Sequence, residues 1–64
     1  MARLILGDQV IIEQDANPYH GKRAVVVVAH VQGPWANAPY QAVRVKMPDG
    51  ETVEGPARFF KLAN

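Results

Sequence analysis

Cysteine and serine are both missing from this chain of 64 residues, and threonine occurs once, at Thr52. Without thiols there is neither a disulfide framework nor a thiolate metal site. Without serine or cysteine the usual catalytic nucleophiles are all but gone. The only histidines, His20 and His30, have no second imidazole or thiolate at ligand spacing, so no metal site is expected. The carboxylates Asp8, Glu13, Asp15, Asp49, Glu51 and Glu54 fall on turns and polar strand positions, and none forms a spacing that marks a catalytic pair. No catalytic residue and no cofactor are therefore assigned. A charge excess is also lacking: seven Lys and Arg against six Asp and Glu leave +1, far from the basic surplus of a protein that lives on phosphate backbones. No run approaches the roughly 20 apolar residues of a membrane helix. The opening Met1 to Leu6 is too short for a signal-peptide core. A cytoplasmic protein with no membrane partner is the expectation.

What is present is β-branched. Ala24 to Val31 is small or apolar throughout except for His30, and contains four consecutive valines, Val25 to Val28. Valine loses rotamer freedom in a helix and packs well on a pleated surface, so the run predicts a strand from about Lys22 to Val31. Because the run does not alternate, both of its faces are expected to be covered for part of its length, by a bent strand shared between two sheets or by a partner chain. Before it, Val10 and Ile12 alternate with Gln9, Ile11 and Glu13 in a first strand that follows a Gly7-Asp8 turn. After it, Pro34 and Pro39 break the chain. Val43, Val45 and Met47 then alternate with Ala42, Arg44 and Lys46, Pro48-Asp49-Gly50 turns, and Glu51 to Glu54 returns as a hairpin that Gly55-Pro56 should end. A single 3-10 turn over Ala57 to Phe60 and a short strand at Lys61-Leu62 complete the reading.

Five short strands with Gly- and Pro-rich turns and no room for a helix predict an all-β fold, a small five-stranded SH3-like barrel forming one domain over residues 1–64. A chain so short and without staples often gains stability from self-association or a larger assembly, which makes a homo-oligomer or subunit role an open alternative.

The stretch Gly7-Asp8-Gln9-Val10-Ile11-Ile12, followed by Gly21-Lys22-Arg23-Ala24-Val25-Val26, resembles the KOW motif of SH3-like barrels in ribosomal proteins and transcription elongation factors. Ala24 stands where that family usually has a second glycine. The layout over more of the chain is similar to the plasmid-borne type II dihydrofolate reductases, which open with Gly-Asp-x-Val and end in a Gly, a short strand, a Pro, a short turn and an Asn, as Gly50, Thr52 to Gly55, Pro56 and Asn64 do here. Those enzymes build one pore from four copies of a Val-Gln-Ile-Tyr strand. This chain has Thr52-Val53-Glu54-Gly55 there, so the resemblance implies a shared-pore oligomer without implying that active site.

The candidate partner-binding residues are Tyr19, Trp35, Tyr40, Arg44 and Lys46. Trp35 lies between Gly33-Pro34 and Pro39-Tyr40, where a large ring needs a cover: a partner, or the barrel mouth beneath it. Tyr19 and Tyr40 share that ambiguity. Arg44 and Lys46 should face outward together, and with the pairs Lys22-Arg23 and Arg58-Lys61 they either form a basic surface for RNA or DNA or a solvated face that discourages edge pairing. His30 is expected as a partly buried strand residue and His20 as a solvated loop residue. The function read from these features is a non-enzymatic module that recognises a protein or a nucleic acid; the alternatives are a shared-pore enzyme or ligand-binding oligomer and a structural subunit.

Overall fold

The computed structural model describes residues 3–32 and 40–63. Five antiparallel strands, β1 Gln9–Ile12, β2 Arg23–Val28, β3 Ala42–Lys46, β4 Thr52–Pro56 and β5 Phe60–Leu62, form one sheet in the order β4-β3-β2-β1-β5. The only helical element among the described residues is a 3-10 turn, Ala57–Phe59, between β4 and β5. The chain is thus all-β with five strands, as its turn chemistry predicts. Its sheet is open: β4 and β5 are the two edges and are not paired with each other.

Alternation puts one row of apolar side chains on the inner face of every strand. Val10 and Ile12 of β1, Ala24 and Val26 of β2, Val43 and Val45 of β3, and Phe60 of β5 are buried, joined by Leu4 and Met47. No polar or charged side chain is buried with them among the described residues. Of the adjacent phenylalanines, Phe60 enters this core as the first residue of β5, while Phe59, the last of the 3-10 turn, packs against it half-buried.

The valine strand corrects the sequence reading. Both faces were expected to be covered, yet β2 alternates: Ala24 and Val26 are buried while Val25 and Val27 are 38% and 37% exposed. Four identical residues carry no periodicity, so the alternation had to come from the backbone. The strand also stops at Val28 rather than Val31. Val26 pairs with Val45 and Val28 with Arg44, two steps on β2 against one on β3, so Val27 is the extra residue of a bulge. Bulges bend a strand and end regular pairing, and Ala29 and His30 follow as a bend. His30 is accordingly exposed and outside the strand, not partly buried within it.

Two smaller corrections concern β3 and β4. Ala42, expected outward, is buried at the start of β3 opposite Pro56. Gly55 and Pro56, expected to end β4, are its last two residues. A proline that cannot donate to a ladder is tolerated there because β4 is an edge. The β3–β4 hairpin is otherwise as read: the Met47 N–H donates to the Glu51 carbonyl (2.8 Å), the Gly50 N–H to the Met47 carbonyl (2.9 Å), and the Asp49 carboxylate accepts from the Glu51 N–H (2.9 Å).

Gly50 has φ of 94°, a left-handed conformation that a Cβ disfavours. Space around it is open, so strain alone sets the penalty. Gly50→Ala should lower stability by about 1–2 kcal/mol, read as a lower urea midpoint with an unchanged slope; an unaltered midpoint would mean that the turn relaxes to another type.

Candidate functional site

Three backbone segments meet around the 3-10 turn. The Ala57 N–H donates to the Gln41 carbonyl (2.8 Å), just before β3, and the Glu13 N–H donates to the Phe59 carbonyl (2.7 Å), just after β1. These two bonds tie the turn to opposite sides of the open sheet. On this frame the Arg58 guanidinium lies 4.9 Å from the Phe59 ring centroid and 5.8 Å from that of Tyr40. Both distances fall within the range of cation–π attraction, worth about 0.5–1 kcal/mol at an exposed site. Tyr40 is 42% exposed, and its ring lies beside a cation.

Tyr19 has a different setting. It sits half-buried in the β1–β2 loop and packs against the core. That loop is wound by its own polar residues: the Tyr19 N–H donates to Asn17 Oδ1 (2.7 Å), Asn17 Nδ2 to Gln14 Oε1 (3.2 Å), and the Gln14 N–H to His20 Nδ1 (3.0 Å). His20, expected to be merely solvated, therefore accepts a backbone hydrogen bond. The Gly21 N–H then donates to the Ile12 carbonyl (2.7 Å) and returns the chain to the sheet. Trp35, the residue on which the aromatic-face reading leaned most, lies outside the described residues.

Arg44 and Lys46 share the outer face of β3, as their alternation with Val43 and Val45 requires. Arg44 is engaged there: its Nε and Nη2 both donate to Glu54 Oε2 across the hairpin, at 2.9 and 2.7 Å. The pair is partly exposed, so it contributes less than about 1 kcal/mol, and it removes much of the charge that Arg44 was expected to offer. Lys46 faces Thr52 on one side and Val25 on the other. The structure therefore joins Tyr40 to Arg58 and Phe59, sets Lys46 beside the exposed valines, and gives Tyr19 a packing role. Arg58 was placed in the sequence only as one of a basic pair; its stacking was not legible because it depends on a 3-10 turn meeting a segment 18 residues earlier.

Among the described residues no three His, Cys, Asp or Glu side chains lie close enough to hold a metal ion. No helix among them is long and apolar enough to cross a membrane. No family model, curated protein or solved structure matches the chain.

Proposed function

We propose that the chain is a small non-enzymatic binding module of SH3-like type, which recognises a protein or nucleic-acid partner through the face carrying Tyr40 and Arg58, with Trp35, from the segment outside the described residues, as a further candidate anchor. The observation that carries this reading is the exposed Tyr40 ring beside the Arg58 guanidinium, on a 3-10 turn that backbone hydrogen bonds join to Glu13, just after β1, and to Gln41, just before β3. An aromatic ring and a cation on a stiff frame lose little conformational freedom on binding, which is why Tyr, Trp and Arg dominate interaction hot spots. The SH3-like assignment is supported by the pairing of β1 with both β2 and β5 and by the 3-10 turn that links β4 to β5.

The test is a paired substitution. Trp35→Ala and Tyr40→Ala should each leave the thermal melt nearly unchanged while abolishing capture of a partner by the immobilised chain. An unchanged set of captured molecules removes the loop face as the recognition surface, and loss of folding assigns the ring to the core. Salt separates the two partner classes: affinity for a nucleic acid falls steeply as phosphates regain their counterions, while a flat response excludes it. A tetramer in light scattering that binds a folate or nicotinamide compound would instead establish the shared-pore reading.

A further inference from the structure

The outer face of the sheet is not the polar surface that an antiparallel sheet ordinarily turns to water. Val25 and Val27 of β2 stand exposed at its centre. Register gives their neighbours: Val25 lies between Gln9 of β1 and Lys46 of β3, and Ile11 lies between Arg23 of β2 and Lys61 of β5. An open depression of about 380 Å³ lies over this ground, and Gln9, Arg23, Val25, Val27, Lys46 and Pro48 are among the residues that line it. Its lining is mostly apolar and includes the two cations Arg23 and Lys46. The turn at Ile5 to Asp8 is tied to the same strand, since the Gly7 N–H donates to the Val26 carbonyl (2.9 Å), and Leu6 at its tip is 69% exposed.

The cations of this face are available. Among the described residues no carboxylate lies within 4.0 Å of Arg23, Lys46 or Lys61. Arg23 is nevertheless positioned, since its Nη1 donates to Gln9 Oε1 at 2.8 Å. A guanidinium has five N–H donors, so four remain for an incoming group. The single carboxylate on the neighbouring outer row, Glu54, is taken by Arg44.

These features discriminate among occupants. A second copy seated face to face brings like charges together, because Arg23, Lys46 and Lys61 recur on its own outer face and outnumber Glu13, the exposed carboxylate that follows the outward row of β1. Single-stranded nucleic acid is held by aromatic platforms on which bases stack, and the floor here is aliphatic. What remains is an aliphatic group bracketed by carboxylates.

We propose that the outer sheet face is a docking site for an acidic peptide segment of another protein, whose aliphatic side chain seats on Val25 and Val27 while flanking Asp or Glu carboxylates reach Arg23 and Lys46. This site goes beyond the aromatic loop face and stands without it.

The probe is a fluorescein-labelled extended peptide alternating Glu with Leu, compared with its counterpart in which Lys replaces Glu and with a labelled oligothymidine. The Glu peptide should bind at least tenfold more tightly than either, and amide shifts on titration should centre on Arg23, Val25, Val27 and Lys46. Arg23→Glu combined with Lys46→Glu should weaken the Glu peptide at least tenfold and favour the Lys peptide, with the thermal melt preserved. Val25→Ser, which keeps every charge, should weaken the Glu peptide several-fold and separate apolar seating from general attraction. Equal binding of both peptides, tighter binding of the oligonucleotide, or a concentration-dependent dimer lost on Val25→Ser would each overturn the proposal. Shifts centred on Tyr40 and Arg58 would overturn it too while supporting the loop face, so the two readings fail separately.

Discussion

Ile12→Ala is expected to lower the urea midpoint by roughly 2 to 5 M, enough to leave much of the chain unfolded without denaturant. Ile12 has no exposed surface, and it belongs to a core built largely from valines. Truncating a buried isoleucine to alanine costs about 2–5 kcal/mol, part transfer and part residual cavity. The total available is small: at roughly 0.05–0.15 kcal/mol per residue, a chain of this length has about 3–10 kcal/mol of stability. A slope near 1 kcal/mol per molar urea, typical of the smallest domains, converts the loss into the stated shift. Collapse around the cavity is limited because Ile12 is held at both ends by backbone bonds: its N–H donates to the Lys22 carbonyl (3.0 Å) and its carbonyl accepts from Gly21 (2.7 Å). Its ladder partner Phe60, also buried, would lose its packing neighbour in the same step.

The valine run supplies the internal control. Val26→Ala should cost about 2 kcal/mol, since roughly 0.8 kcal/mol is lost per buried methylene and a void is added. Val25→Ala, one position along, should cost well under half of that, because its side chain already meets water. Equal losses at the two positions would show that the outer face of β2 is covered in solution, and so restore the reading of a strand buried on both sides.

The contrast explains what was legible in the residues. The β3–β4 hairpin was, because Pro48-Asp49-Gly50 encodes a turn by local sterics and the flanking residues differ in polarity from one position to the next. The burial of Val10 and Ile12 was, for the same reason. Val25 to Val28 was not: uniform composition leaves pattern silent, and the bulge at Val27 arises from a register shift against β3 that no local feature announces. Gly55 and Pro56 misled because punctuating residues inside an edge strand look the same as those beyond its end. Of the candidate site, the outward placement of Arg44 and Lys46 followed from alternation. The capture of Arg44 by Glu54 and the stacking of Arg58 on Tyr40 did not, since each needs a contact fixed only after the sheet has formed.

Gln41 is the clearest case of a residue whose importance only the tertiary structure reveals, and its replacement should rank second in effect. Its side-chain amide binds three backbone groups from two segments: Oε1 accepts from the Leu4 N–H (3.1 Å), while Nε2 donates to the Leu4 carbonyl (2.6 Å) and to the Ala29 carbonyl (2.9 Å). Thus one side chain fastens the segment before β1 and the bend after β2 to the start of β3. Gln41→Ala leaves all three groups without this partner in a partly buried place. At about 1 kcal/mol net per hydrogen bond, and more where water cannot replace the partner, the expected loss is roughly 2–4 kcal/mol. Gln41→Glu should fare no better, because a carboxylate still accepts from Leu4 but opposes both carbonyls and donates to neither. Hydrogen exchange distinguishes local release from global weakening. The Leu4 amide should approach the unprotected rate in Gln41→Ala, whereas the Ile12 amide slows exchange in proportion to whatever global stability remains. A Leu4 amide as protected as in the parent chain would show that the clamp is dispensable. The consequence reaches the proposed binding face as well: the Gln41 carbonyl accepts from Ala57 at the head of the 3-10 turn and Gln41 follows Tyr40 directly. Loosening Gln41 therefore loosens the frame on which Arg58 meets the Tyr40 ring, and partner affinity should fall in this variant even under conditions where the core stays folded.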